Sequence, residues 1–125
     1  MASSFLTQLN ETNFVAYDDK FHKIIEINPK LEVLATANYK FAHEAGVYIA
    51  ARNEVLFTSN RLGNTSTADQ YTEINKINLS TKKVSTVKPS SPILLANGGT
   101  FHNGKVILCA QGQRDIGGSI VSMDP

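Results

Sequence analysis

The chain has 125 residues, 42% of them hydrophobic and 18% charged, with a net charge of +1. That suits one ordinary soluble domain with a core of its own, and is too short for two. The near-neutral balance gives no electrostatic case for nucleic acid or an anionic membrane as partner.

In chain order, MASSFLTQLNETNF has no basic start followed by an apolar core, so no signal peptide is expected. No apolar run reaches transmembrane length, and a cytoplasmic location is the default expectation. Sequons at Asn10, Asn64 and Asn78 carry no meaning without export. Helical periods are scarce. FVAYDD (14–19) and FHKIIEINP (21–29) read as short strands, the second stopped by Pro29, and LEVLATA (31–37) as another. A helix through Lys20–Ile27 is opposed by its β-branched residues and by Asn28-Pro29.

Two later segments resemble each other: AGVYIAARNEVLFTSNR from Ala45 and GGTFHNGKVILCAQGQR from Gly98. Each runs apolar strand, turn, apolar strand, polar loop. The turns fall at Arg52-Asn53-Glu54 and His102-Asn103-Gly104, and Asn-Gly suits a two-residue hairpin whose central residues both need positive φ. Aligning Val55 with Val106 gives an offset of 51 residues. A third strand follows each hairpin, YTEINKINLST from Tyr71 and GGSIVSMDP from Gly117, at an offset of 44 or 46. The offset is loose because LGNTSTADQ is longer than QRDIGG. Strand hairpins repeating at about fifty residues are the pattern of β-propeller blades. Chance similarity between two hairpins and a small β-sandwich are the alternatives.

The lone Cys109, within KVILCAQG, excludes an internal disulfide framework and reads as a buried, inert thiol. Glu44 is an acid, next to His43, directly before an apolar hairpin. On pattern alone a solvated loop acid is its commoner meaning. No G-x-S-x-G elbow, phosphate-binding glycine loop or Cys/His zinc spacing competes for a chemical role.

At FAHEAGVYIAARNEVLFTSNR and NGGTFHNGKVILCAQGQ…GGSIVSMDP the sequence resembles the gluconolactonase (regucalcin, senescence-marker-protein) family, in its fungal lactonohydrolase branch. The resemblance runs from about Phe14 to the last residue. It implies an all-β fold, a six-bladed β-propeller with a divalent cation, usually calcium, in its channel, and hydrolysis of a small-molecule lactone. It also implies that Glu44, at the start of the first inner strand, is a metal ligand. Many relatives carry Pro where Gly46 stands, which leaves the start of the strand less rigid here. A carboxylate there suits a hard cation, which polarises a lactone carbonyl and lowers the pKa of bound water. His43 is the accompanying catalytic candidate, either in proton transfer or holding the strand start by a hydrogen bond. Asn97 is the candidate channel or substrate residue, although Asn-Gly-Gly is also an ordinary turn sequence. Gln111 and Arg114 read as solvated loop residues, His102 as turn surface, and Asn60-Arg61 as either channel-facing or free.

Six blades of about fifty residues need on the order of 300. The expectation is therefore an incomplete propeller of about two four-stranded blades: a lead-in over 1–40 with strands of the closing or first blade, blade 1 over 41–90, and a truncated blade 2 over 91–125. Such a chain would hold an unfinished calcium site, work poorly as a lactonase, and self-associate through unpaired blade faces. The alternative function is a non-catalytic propeller fragment or interaction module.

Overall fold

The computed structural model describes residues 4–64 and 69–125. Met1–Ser3, at the head of the leader reading, and Thr65–Ala68, in the LGNTSTADQ connector, lie outside the described residues. The chain divides into two units, Met1–Val33 and Leu34–Pro125.

The first unit holds helix α1 (Phe5–Thr12) and a 3-10 turn at Asp19–Lys23. Both are set by local side-chain caps. Ser4 Oγ accepts the Thr7 N–H at 3.3 Å, and Asn13, at φ 63°, ends the helix with its N–H on the Leu9 carbonyl. Asp18 Oδ1 accepts the Lys20 N–H at 2.8 Å. No strand forms anywhere in 4–43, which corrects the expected strands over FVAYDD, FHKIIEINP and LEVLATA and the strand-bearing lead-in. Alternating apolar residues make a strand only where a neighbouring ladder and a sheet face receive them. Here Ile24, Ile27, Leu31 and Val33 are 71–86% exposed, so the local caps decide the backbone.

The second unit is β, in antiparallel sheets that do not close on themselves. The first sheet comprises β1 (Glu44–Ile49), β2 (Glu54–Thr58), β5 (Ile74–Asn78) and β6 (Val84–Val87), in the order β1-β2-β5-β6. A two-residue ribbon, β3 (Leu62–Gly63) with β4 (Gln70–Tyr71), lies in the connector between β2 and β5. The second sheet comprises β7 (Ala96–His102), β8 (Lys105–Ala110) and β9 (Ser119–Met123) in sequence order. Strand β1 lies against β7.

The ladders establish the internal repeat and correct its register. Val47 pairs with Leu56, and Gly99 with Leu108; Glu44 pairs with Thr58, and Ala96 with Ala110. All four correspondences lie 52 residues apart, not 51. The reason is parity. A one-residue slip moves every side chain to the opposite face, and it would match half-buried Val55 with fully buried Val106. For the third strand, Lys76 on Leu56 corresponds to Val121 on Leu108, an offset of 45 that falls between the two expected values. Both sheets also carry a register shift at the same place, between Glu44 and Val47 and between Ala96 and Gly99.

The hairpin turns differ. Asn103 (φ 47°) and Gly104 (φ 77°) make the expected two-residue turn with both central residues at positive φ. In the first sheet a 3-10 turn at Ala50–Arg52, closed by Asn53 at φ 49°, replaces it. The core lies between the sheets and contains Val47, Ile49, Leu56, Ile74, Val106 and Leu108. Leu56 is 1% exposed and Leu108 fully buried. The opposite face of the first sheet is partly roofed by the segment before β1. Phe41 packs edge-on to Phe57 at 5.7 Å, and its carbonyl accepts the Asn75 Nδ2–H at 3.1 Å. Asn75 Oδ1 takes the Thr86 hydroxyl at 3.0 Å, so this buried amide is held on both sides. Cys109 is exposed, contrary to the expected buried thiol, because alternation along β8 sends Val106, Leu108 and Ala110 inward and Cys109 outward.

Candidate functional site

The repeated register shift sets the geometry of the site. Along a regular strand, residues three apart point to opposite faces. One extra residue between Glu44 and Val47 cancels that alternation. Glu44 thereby shares the face of Val47, Leu56 and its own partner Thr58, the face turned to the second sheet. The extra residue is accommodated by Ala45 at φ 67°; its counterpart 52 residues on, Asn97, has no positive φ, and the left-handed residue at the second head is Leu95 (φ 53°), directly before β7. Non-glycine residues in the left-handed region each cost on the order of 1 kcal/mol or more, and such strain is concentrated at functional sites.

A cleft of about 250 Å³ opens here, lined by Lys40, His43, Ser59, Asn60, Arg61, Thr72, Leu95, Ala96, Asn97 and Gln111. Its floor is well fixed. Thr58, fully buried, donates its hydroxyl to the Asn97 carbonyl at 3.4 Å, tying the two sheets together. Ser59 Oγ accepts the Glu73 N–H at 2.8 Å and donates to the Asn60 carbonyl at 2.7 Å. The Asn60 N–H reaches the Lys40 carbonyl at 3.1 Å. The loop after β2 therefore has little freedom where its side chains enter the cleft.

Of the expected site residues, His43 and Asn97 meet in this cleft, while Glu44 stands beside it. His43 Nε2 lies 3.8 Å from Glu44 Oε1, with both side chains about half exposed (48% and 45%). Among the described residues no three His, Cys, Asp or Glu side chains gather into a metal-holding group. Calcium takes six to eight oxygens, so Glu44 fits such an ion only as one member of a wider ligand set. His102 is exposed, but it ends β7 as the partner of Lys105 and is not part of the turn itself. Arg114 is a solvated loop residue, ion-paired with Asp69 at 2.7 Å.

Gln111 departs from the solvated-loop expectation, whereas a channel-facing place is one of the two alternatives the sequence leaves open for Arg61. Arg61 lines the cleft, donating to Gln70 Oε1 at 3.3 Å and to Gln111 Oε1, and Gln111 is itself a wall residue rather than bare loop. The only sequence signal was that Asn60-Arg61 and Gln111 each follow the second strand of a repeat. Their meeting depends on the two sheets lying side by side.

Elsewhere, no helix among the described residues is long and apolar enough to cross a membrane. Comparison with known proteins gave no relative: no family model, no curated protein and no solved structure matches the chain.

Proposed function

We propose that the second unit forms consecutive blades of a β-propeller, and that the chain belongs to a divalent-metal-dependent lactone hydrolase of the gluconolactonase type. In this reading Glu44 is one calcium ligand and His43 its neighbour in proton transfer. The observation that carries it is the repeat: two antiparallel meanders, equivalent at 52 residues over their first two strands, each with its register shift at the start of the inner strand. That arrangement suits blades whose inner strands stand next to one another and present their first residues at one end. Glu44 occupies such a position in the first meander and Asn97 lies close to it in the second. The acceptable substrate is a small-molecule lactone, whose carbonyl a cation held partly by Glu44 would polarise.

The test is calcium titration by calorimetry, with hydrolysis of an aldonolactone followed in a pH-stat above its spontaneous rate. The expected result is weak binding, with Kd on the order of 10⁻³ M for a site with so few charged ligands, lost in Glu44→Gln. Calcium binding that survives Glu44→Gln would remove the ligand assignment. Binding with no calcium-dependent hydrolysis would favour the non-catalytic interaction module.

A further inference from the structure

The cleft has an electrostatic character that the metal reading does not use. Among its described lining residues Lys40 and Arg61 are cationic, His43 is an imidazole, Asn60, Asn97 and Gln111 are amides, Ser59 and Thr72 are hydroxyls, and none is a carboxylate. Of the acids next in sequence to lining residues, Glu44 lies 3.8 Å from His43 and Glu73 accepts the Tyr39 hydroxyl at 2.9 Å.

Arg61 is the informative residue. Its guanidinium has five N–H donors, and the amide oxygens of Gln70 and Gln111 take one at Nη1 and one at Nη2. These contacts fix its direction without neutralising it. The contrast is Arg114, at the corresponding end of the second meander, whose charge is met by the Asp69 carboxylate. A cation oriented by neutral amides keeps both its charge and its spare donors for something else. A second unmet group lies in the same wall. The Thr72 hydroxyl oxygen is shut off from solvent and has no hydrogen-bond partner among the described residues. Buried hydroxyls are normally satisfied, but an oxygen closed to water is equally closed to a ligand, so any recognition here rests on Arg61.

We propose that this cleft binds the oxyanion of a small molecule, a carboxylate or phosphate, with Arg61 as its charge anchor. Lys40 adds a second positive charge, and the amides of Asn60 and Asn97 receive the polar body of the ligand. Oxyanion binding here requires no metal ion and does not rest on the lactonase reading, although it shares His43 and Asn97 with that site.

The experiment is an amide NMR titration of the full chain in EDTA. Sodium phosphate and sodium gluconate are the separate probes, and sodium chloride holds the ionic strength constant. Saturable shifts at Asn60, Arg61, Asn97 and Gln111 are expected with at least one probe. Phosphate alone identifies a phosphoryl group as the recognised chemistry, and gluconate alone a carboxylate. Arg61→Gln should weaken binding about tenfold or more, and Lys40→Gln by a smaller factor, as expected for removing a charge-assisted contact. Lys40→Gln, at an exposed position, keeps the test decisive if Arg61→Gln unfolds. No saturable shift with either probe, or affinity unchanged in both variants, overturns the proposal.

Discussion

Two adjacent glycines in β7 should respond in opposite directions to the same added methyl group. A Cβ on Gly99 would stand 2.6 Å from Leu108 Cδ2 and 2.7 Å from the Ile107 carbonyl oxygen, with Val47 Cγ2 at 3.4 Å. The leucine methyl can rotate away. The carbonyl belongs to the β7–β8 ladder and can move only by parting the strands. A Cβ on Gly98 meets nothing within 4 Å, and its φ is not positive. Overpacking of this kind costs about 1–3 kcal/mol, so Gly99→Ala should lose that much. Gly98→Ala should be neutral or gain about 0.4–1 kcal/mol, because alanine has less unfolded-state freedom to lose. For a domain of this size each kcal/mol moves Tm by roughly 4–8 °C. Urea unfolding followed by circular dichroism, with a melt of each variant, measures both. Equal effects for the two variants, or a stable Gly99→Ala, would refute the view that the β7–β8 ladder and the β1–β7 contact close tightly around Gly99.

Asn75→Ala should cost about 1–3 kcal/mol, since it strands the half-buried Phe41 carbonyl and leaves Thr86 without its acceptor. Hydrogen exchange should then quicken at Phe41 and His43, whose N–H groups bond the Tyr39 and Thr58 carbonyls. Unchanged exchange there would mean the amide does not anchor the roofing segment. Tyr39 should ionise above the ordinary tyrosine range, chiefly through its hydrogen bond to Glu73 and then through burial and the Glu73 charge. Because the folded pKa is raised, any contribution to stability is complete below the unfolded tyrosine pKa and is lost as pH rises through the folded value. Ultraviolet titration of wild type against Glu73→Ala checks this, and an identical Tyr39 titration in both would disprove it.

Much of the second unit was legible because hairpins are written locally. Asn103-Gly104 specifies its own turn, and the alternation in VLFT and KVILCA marks which residues enter the core. The 51-residue alignment failed for a related reason. Matching Val55 to Val106 maximises likeness of residue type, whereas the sheets are matched by face, and Leu56 with Leu108 preserves the face. The N-terminal segments went wrong because β-propensity names residues suited to a sheet without supplying one. Ser4, Asn13 and Asp18 form short-range bonds that need no partner strand. In the site, His43 and Asn97 are nominated by what the family resemblance implies. The convergence of Arg61 with Gln111, fifty residues on, could not be, since nothing in either segment encodes the contact between sheets.

The register shift at the head of β1 and β7 works as a phase change in the chain. Upstream of it the alternation between faces is reversed, so the direction in which a side chain points at positions 43–44 and 95–96 is decided by the backbone rather than by residue type. Deleting Ala45 or Gly46 would restore a regular ladder in which Glu44, now two residues before Val47, keeps Thr58 as its partner and keeps its face, while every residue upstream of the head moves one place along the chain. Substitution at either head can therefore change the chemistry offered to the cleft while the ladders behind it keep their register.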